Sequence, residues 1–83
     1  MTRNPSQFLV EQIKLAGYDR IHPGSSLRFI RALLPQLPRQ WQSLNSDALV
    51  KKVRQQCEMA VSANLLTRKR MNGITGYVYF VVA

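Results

Sequence analysis

The sequence predicts an α+β domain: a three-helix core followed by a C-terminal β-hairpin. Three observations predict it. Apolar residues recur at helical spacing in three stretches, each opened by a capping residue. The run from Tyr77 to Val82 is dense in strong strand formers. Between it and a shorter run from Leu65 to Arg70 lies Asn72-Gly73, a dipeptide suited to a hairpin turn. At 83 residues there is room for one small domain, 1–83, with one core.

The elements follow in order. Asn4-Pro5 opens the first helix, with Asn as N-cap and Pro where its missing N–H costs nothing. Leu9, Ile13 and Ala16 carry its apolar spacing, Phe8 lies at the edge, and Gly17 is the natural stop. Tyr18 to Gly24 reads as a loop containing the single histidine, His22. Ser25 or Ser26 caps a second helix whose buried face is Leu27, Ile30, Leu33 and Leu34. Arg28 and Arg31 lie three apart on its outer face.

Pro35 ends or kinks that helix, and Pro38 reinforces the break. Gln36 to Leu44 is then a turn or one short helical piece, with Trp41 and Leu44 plugging the core. Asn45-Ser46 caps the third helix. Its expected buried stripe is Val50, Val53, Cys57 and Ala60, flanked by Leu49 and Val61. Lys51, Gln55 and Ser62 lie opposite, with Lys52 and Met59 beside them. Asn64 suits a left-handed C-cap. Leu65 to Arg70 and Gly76 to Val82 are the strands, with the turn at Met71 to Thr75.

The charge balance narrows the partners. Twelve Lys and Arg stand against four Asp and Glu, a formal net charge of +8. Such an excess attracts polyanions and weakens with salt. The charge gathers in Lys51, Lys52 and Arg54 on the third helix and in Arg68, Lys69 and Arg70 just before the turn. The one cysteine, Cys57, excludes an internal disulfide and fits a reducing compartment. No apolar run approaches the ~20 residues of a membrane span, and the N-terminus lacks the apolar core of a signal peptide. The expected location is the cytoplasm of a bacterial or phage-infected cell.

The stretch Ala63-Asn64-Leu65-Leu66-Thr67-Arg68-Lys69-Arg70, with Gly73 and then Gly76-Tyr77-Val78-Tyr79, resembles the winged helix-turn-helix domain. In many small bacterial regulators of that superfamily the recognition helix ends in a similar segment, and the wing returns through Gly-Tyr-x-Tyr. Asn64 stands where Gly is more usual, and either residue suits the turn. The resemblance covers about half the chain closely and the rest as an order of elements. The superfamily usually makes a tight turn before the recognition helix. Here Pro35 to Asn45 is longer and proline-broken.

The resemblance implies a winged-helix-like fold and sequence-specific binding of double-stranded DNA, as a small transcriptional regulator or accessory factor. The expected contact residues are Ser46, Lys51, Lys52, Arg54 and Gln55 on the helix and Arg68, Lys69, Arg70 and Asn72 on the wing. Lys and Gln reach phosphates and base edges, and the wing cations reach phosphate or the minor groove. Strand alternation sends Arg68 and Arg70 to one face and Lys69 to the other. A solvated helix face, or an edge strand guarded by charge, is the competing reading of these residues. Asp47 opposes phosphate contact but suits a helix N-terminus. A small footprint makes a homodimer an expectation too.

Enzymatic patterns are absent from the sequence. Cys57 with His22 is the sole nucleophile–base pairing on offer, and Cys57 falls on the apolar stripe as a structural thiol. Glu11, Asp19, Asp47 and Glu58 form no carboxylate pair. No metal-ligand spacing, phosphate loop or small-molecule site is evident, so no cofactor is expected. Tyr77, Tyr79 and Phe80 suit base stacking less well than a packed hairpin. Two other functions remain open. An adaptor built on the same fold would expose Trp41, Met59 or Tyr77 as an apolar patch among scattered charges. RNA binding is the third.

Overall fold

Asn4 caps the first helix as its place before Pro5 predicts. In the computed structural model, which describes residues 4–82, its Oδ1 accepts from the Gln7 amide at 2.9 Å and from the Ser6 hydroxyl at 2.7 Å. Residues 1–3 and 83 lie outside the described residues. Helix α1 runs Pro5–Leu15. It ends because Gly17 adopts φ +80°, which lets Gly17 and Tyr18 donate back to the Lys14 and Ile13 carbonyls. Helix α3, Ser46–Ser62, is built the same way. Asn45 Oδ1 accepts from the Ala48 amide at 2.9 Å. At the far end Asn64, at φ 62°, turns the chain so that Asn64 and Leu65 donate to Val61 and Ala60. That reversal feeds the first wing strand directly from α3.

Helix α2 is short, Leu27–Leu33. Pro35 cannot continue it, and two 3-10 turns follow, Leu34–Gln36 and Arg39–Ser43. Leu37, between them, and Trp41, in the second, enter the core, where Trp41 is 2% exposed. Leu44 is half-buried against the same cluster. The proline-broken stretch is thus a folded corner between α2 and α3, and it supplies the core plug.

The hairpin consists of β2, Leu66–Arg70, and β3, Tyr77–Val81, paired antiparallel with Arg68 opposite Tyr79. The Ile74 amide donates to the Met71 carbonyl at 3.2 Å, closing a turn with Asn72 and Gly73 at its corners. Gly73 has φ +80°, which an L side chain resists. One expectation needs correcting. Tyr18 to Gly24 is not all loop, since Arg20–Ile21 forms a short strand, β1, that pairs antiparallel with β3. The sheet therefore has three strands in the order β1-β3-β2, not two. β3 becomes the central strand, and the Val81 amide also donates to the Asp19 carbonyl at 2.9 Å.

The fold is α+β: three α-helices and a three-stranded antiparallel sheet, in a winged-helix-like layout. The core joins Leu9, Ile13, Ile30, Leu49, Val53 and Tyr79 with Trp41, all buried. Each such apolar side chain contributes roughly 1.5–3 kcal/mol by leaving water. The α3 stripe is rotated from the expected one. Leu49 sits at its centre, Val50 is only half-buried, and Gln56 is buried with its Oε1 unpaired among the described residues. No helix of the described residues is long and apolar enough to cross a membrane.

Candidate nucleic-acid interface

The outer side of α3 is a ridge with a cleft on each flank. Lys51 lies on the crest and lines both clefts. One cleft, about 480 Å³, separates α3 from the Trp41 turn and is bordered by Gln40, Lys52 and Gln55. The other, about 450 Å³, separates α3 from the start of α2 and is bordered by Gly24, Leu27, Ser46, Asp47 and Arg54. Lys51, Arg54 and Gln55 are exposed, as a helix facing solvent requires. Lys52 is half-buried, with its ammonium 6.0 Å from the centre of the Trp41 ring. That contact holds its stem along the apolar plug and leaves the charge at the surface.

Ser46 takes part differently from the expectation. Its hydroxyl accepts from Arg31 Nη2 at 2.6 Å, so α2 is tied to the first turn of α3. Arg31 thereby joins the cationic surface. Nothing local in the sequence marks this pairing, because the partners are fifteen residues apart in chain but adjacent only in the fold. Asp47, also in the first turn, is exposed and suits the positive end of the helix.

The wing attaches to this ridge through Glu58. Its Oε2 accepts from the Tyr79 hydroxyl at 2.5 Å, and its Oε1 accepts from the Arg68 guanidinium. Tyr79 is buried, and burial with the neighbouring carboxylate pushes its phenol well above the usual range. Glu58 is one turn beyond Arg54 and Gln55 on α3, so Arg68 lies within reach of the ridge. Arg68 and Arg70 both stack on Tyr77, at 4.9 and 5.2 Å from the ring centre. The two arginines share the sheet face that looks toward α3.

Lys69 does not join them. It lies on the opposite face, 5.6 Å from the Phe80 ring, where Arg20 of β1 also stacks at 4.8 Å. Asn72 is exposed at the tip of the turn. The expected contact set is thus divided. Ser46, Lys51, Lys52, Arg54 and Gln55 form the ridge, and Arg68 and Arg70 continue it along the wing. Lys69 faces away, and Asn72 extends the tip.

A further residue supports the wing from below. His22 Nε2 lies 2.8 Å from the Thr75 carbonyl, and Nδ1 lies 2.9 Å from the Ser25 hydroxyl. A carbonyl only accepts, so Nε2 carries the proton. The sequence places His22 in a loop and offers it only as a base for Cys57, not as a brace for the wing. The only signal was its uniqueness.

Two further polar groups are shifted by their surroundings. Cys57 is buried, and desolvation, with the Glu58 charge second, pushes its thiol to about 12. A thiol that stays protonated is a poor nucleophile. Hydrogen bonding to Arg20 holds the Asp19 carboxyl below its usual range. Among the described residues no three His, Cys, Asp or Glu side chains gather as a metal site. No protein-family model, curated protein or solved structure matches the chain.

Proposed function

We propose that this chain is a winged-helix module that binds double-stranded DNA sequence-specifically, as a small transcriptional regulator or an accessory DNA-binding factor. The observation that carries this reading is the α3 ridge, flanked by two clefts and continued by Arg68 and Arg70 through Glu58. A ridge of this kind suits entry into a major groove, while the clefts leave room for the strands on either side. Lys51, Lys52, Arg54 and Arg70 neutralise phosphates, and Gln55 on the ridge reads base edges. The formal net charge of +8 steers the protein to DNA before any specific contact forms.

Of the residues an adaptor would expose, Trp41 is buried and Tyr77 half-buried, while Met59 is 50% exposed. Competition tests the proposal. Labelled duplex DNA bound by the protein is challenged with duplex RNA, single-stranded DNA and a scrambled duplex. Displacement mainly by duplex DNA, and best by a selected sequence, supports the reading. Equal displacement by duplex RNA or single strands contradicts it.

A further inference from the structure

A third cleft lies away from the α3 ridge, between the end of α1, β1 and α2. It measures about 480 Å³ and is lined mainly by apolar side chains: Ile13, Tyr18, Ile21, Phe29 and Ala32. Tyr18 and Phe29 meet edge to face, at 5.6 Å and 88°, and form one wall. Tyr18 is nevertheless 56% exposed, and Leu15 on the adjoining turn of α1 is 79% exposed. Such a surface with a polar rim marks a binding site.

The rim decides the occupant. Arg20 and Arg28 border the cleft, with the hydroxyls of Ser25 and Ser26. The Arg20 guanidinium is held by Asp19 through two hydrogen bonds of 3.0 and 3.1 Å. Arg28 is exposed and has no acidic partner among the described residues. A second copy of this chain would bring another net charge of +8 to the same place, which electrostatics disfavours. Nucleic acid would leave the apolar wall unused. An acidic protein segment satisfies both halves of the site.

We propose that this cleft docks an acidic segment of another protein. A large apolar side chain packs on the Tyr18–Phe29 wall, and flanking carboxylates meet Arg28 and the outer edge of Arg20. The cleft shares no lining residue with the two clefts that flank α3, although it adjoins one of them at the start of α2.

The test uses the full chain and short fluorescein-labelled peptides of Asp, Glu and Ser. Each carries one central Trp, Phe or Leu, and a control has Ala there. The expected result is saturable binding of at least one anchored peptide, weakened about tenfold in the Ala control. Tyr18→Ser and Arg28→Glu should each weaken it by about tenfold, with Tyr18→Ser leaving duplex DNA affinity unchanged. Circular dichroism checks that both variants fold. Four outcomes overturn the proposal. The first is no peptide binding, and the second is equal binding with and without the anchor, which is attraction to net charge alone. The third is displacement by saturating duplex, which places the peptides on the ridge. The fourth is a dimer in sedimentation that Tyr18→Ser abolishes, which assigns the cleft to a second copy. None of these depends on whether duplex binding is sequence-specific.

Discussion

His22 and Thr75, far apart in the chain, are joined where the imidazole Nε2 donates to the main-chain carbonyl at 2.8 Å. The bond fastens the base of the wing loop to the segment that leads into α2. Ser25 holds the other ring nitrogen. His22→Ala should cost about 1 kcal/mol of stability and speed amide exchange in residues 71–76. Hydrogen exchange of the loop amides measures the change. Unchanged exchange in the variant would show that the loop holds itself.

Glu58 locks the wing to α3 through Tyr79 and Arg68. Tyr79→Phe keeps the ring and removes only the donor, so it should cost about 1–2 kcal/mol in urea denaturation. Glu58→Gln should do less to folding, because the Arg68 pair is half-exposed and screened by solvent. It should instead act on binding. A released Arg68 adds a phosphate contact, which steepens the salt dependence of duplex affinity by about one unit. An unchanged slope would mean that Arg68 never reaches DNA.

Both Schellman-type helix ends were legible in the sequence, because Gly17 and Asn64 can take positive φ where most residues resist. The caps Asn4 and Asn45 and the turn at Asn72-Gly73 are likewise written locally. β1 was not legible. Two residues, Arg20 and Ile21, carry no periodicity, and only pairing with β3 makes them a strand. The α3 stripe was misplaced toward Val50. Counting apolar residues cannot anticipate that packing buries the polar Gln56 in the same face. For the candidate site, alternation correctly separated Lys69 from Arg68 and Arg70. The ties of Ser46 to Arg31 and of His22 to Thr75 are tertiary and left no local trace.

Alkaline pH should weaken the fold through Cys57. Burial raises its thiol from the usual 9.0 to about 12. Above the usual value the unfolded chain releases a proton that the folded chain keeps. Stability from this group is therefore intact below about pH 9 and is lost as pH rises toward 12. Tyr79 acts in the same direction from its usual 10.0 upward. Melting curves across this range should fall more steeply for wild type than for Cys57→Ala. An aromatic disulfide reagent should leave the native thiol unmodified at neutral pH. Rapid modification without unfolding would contradict the buried placement.

Helix and wing should divide the work of recognition. Gln55→Ala should relax discrimination between a cognate and a scrambled duplex by about 1–3 kcal/mol. Arg70→Ala should weaken both duplexes alike and lower the salt slope by about one unit. Both side chains are exposed, so circular dichroism should register no loss of folding. If Arg70→Ala removes the discrimination and Gln55→Ala leaves it intact, the wing is the reader.

The salt dependence of duplex affinity tests the central claim most directly. Log affinity should fall linearly with log salt, by about 0.9 for each phosphate neutralised. With Lys51, Lys52, Arg54 and Arg70 engaged, the slope should be about −4. A flat salt response, or no duplex binding even at low salt, would contradict a DNA-binding role for the α3 ridge and its wing.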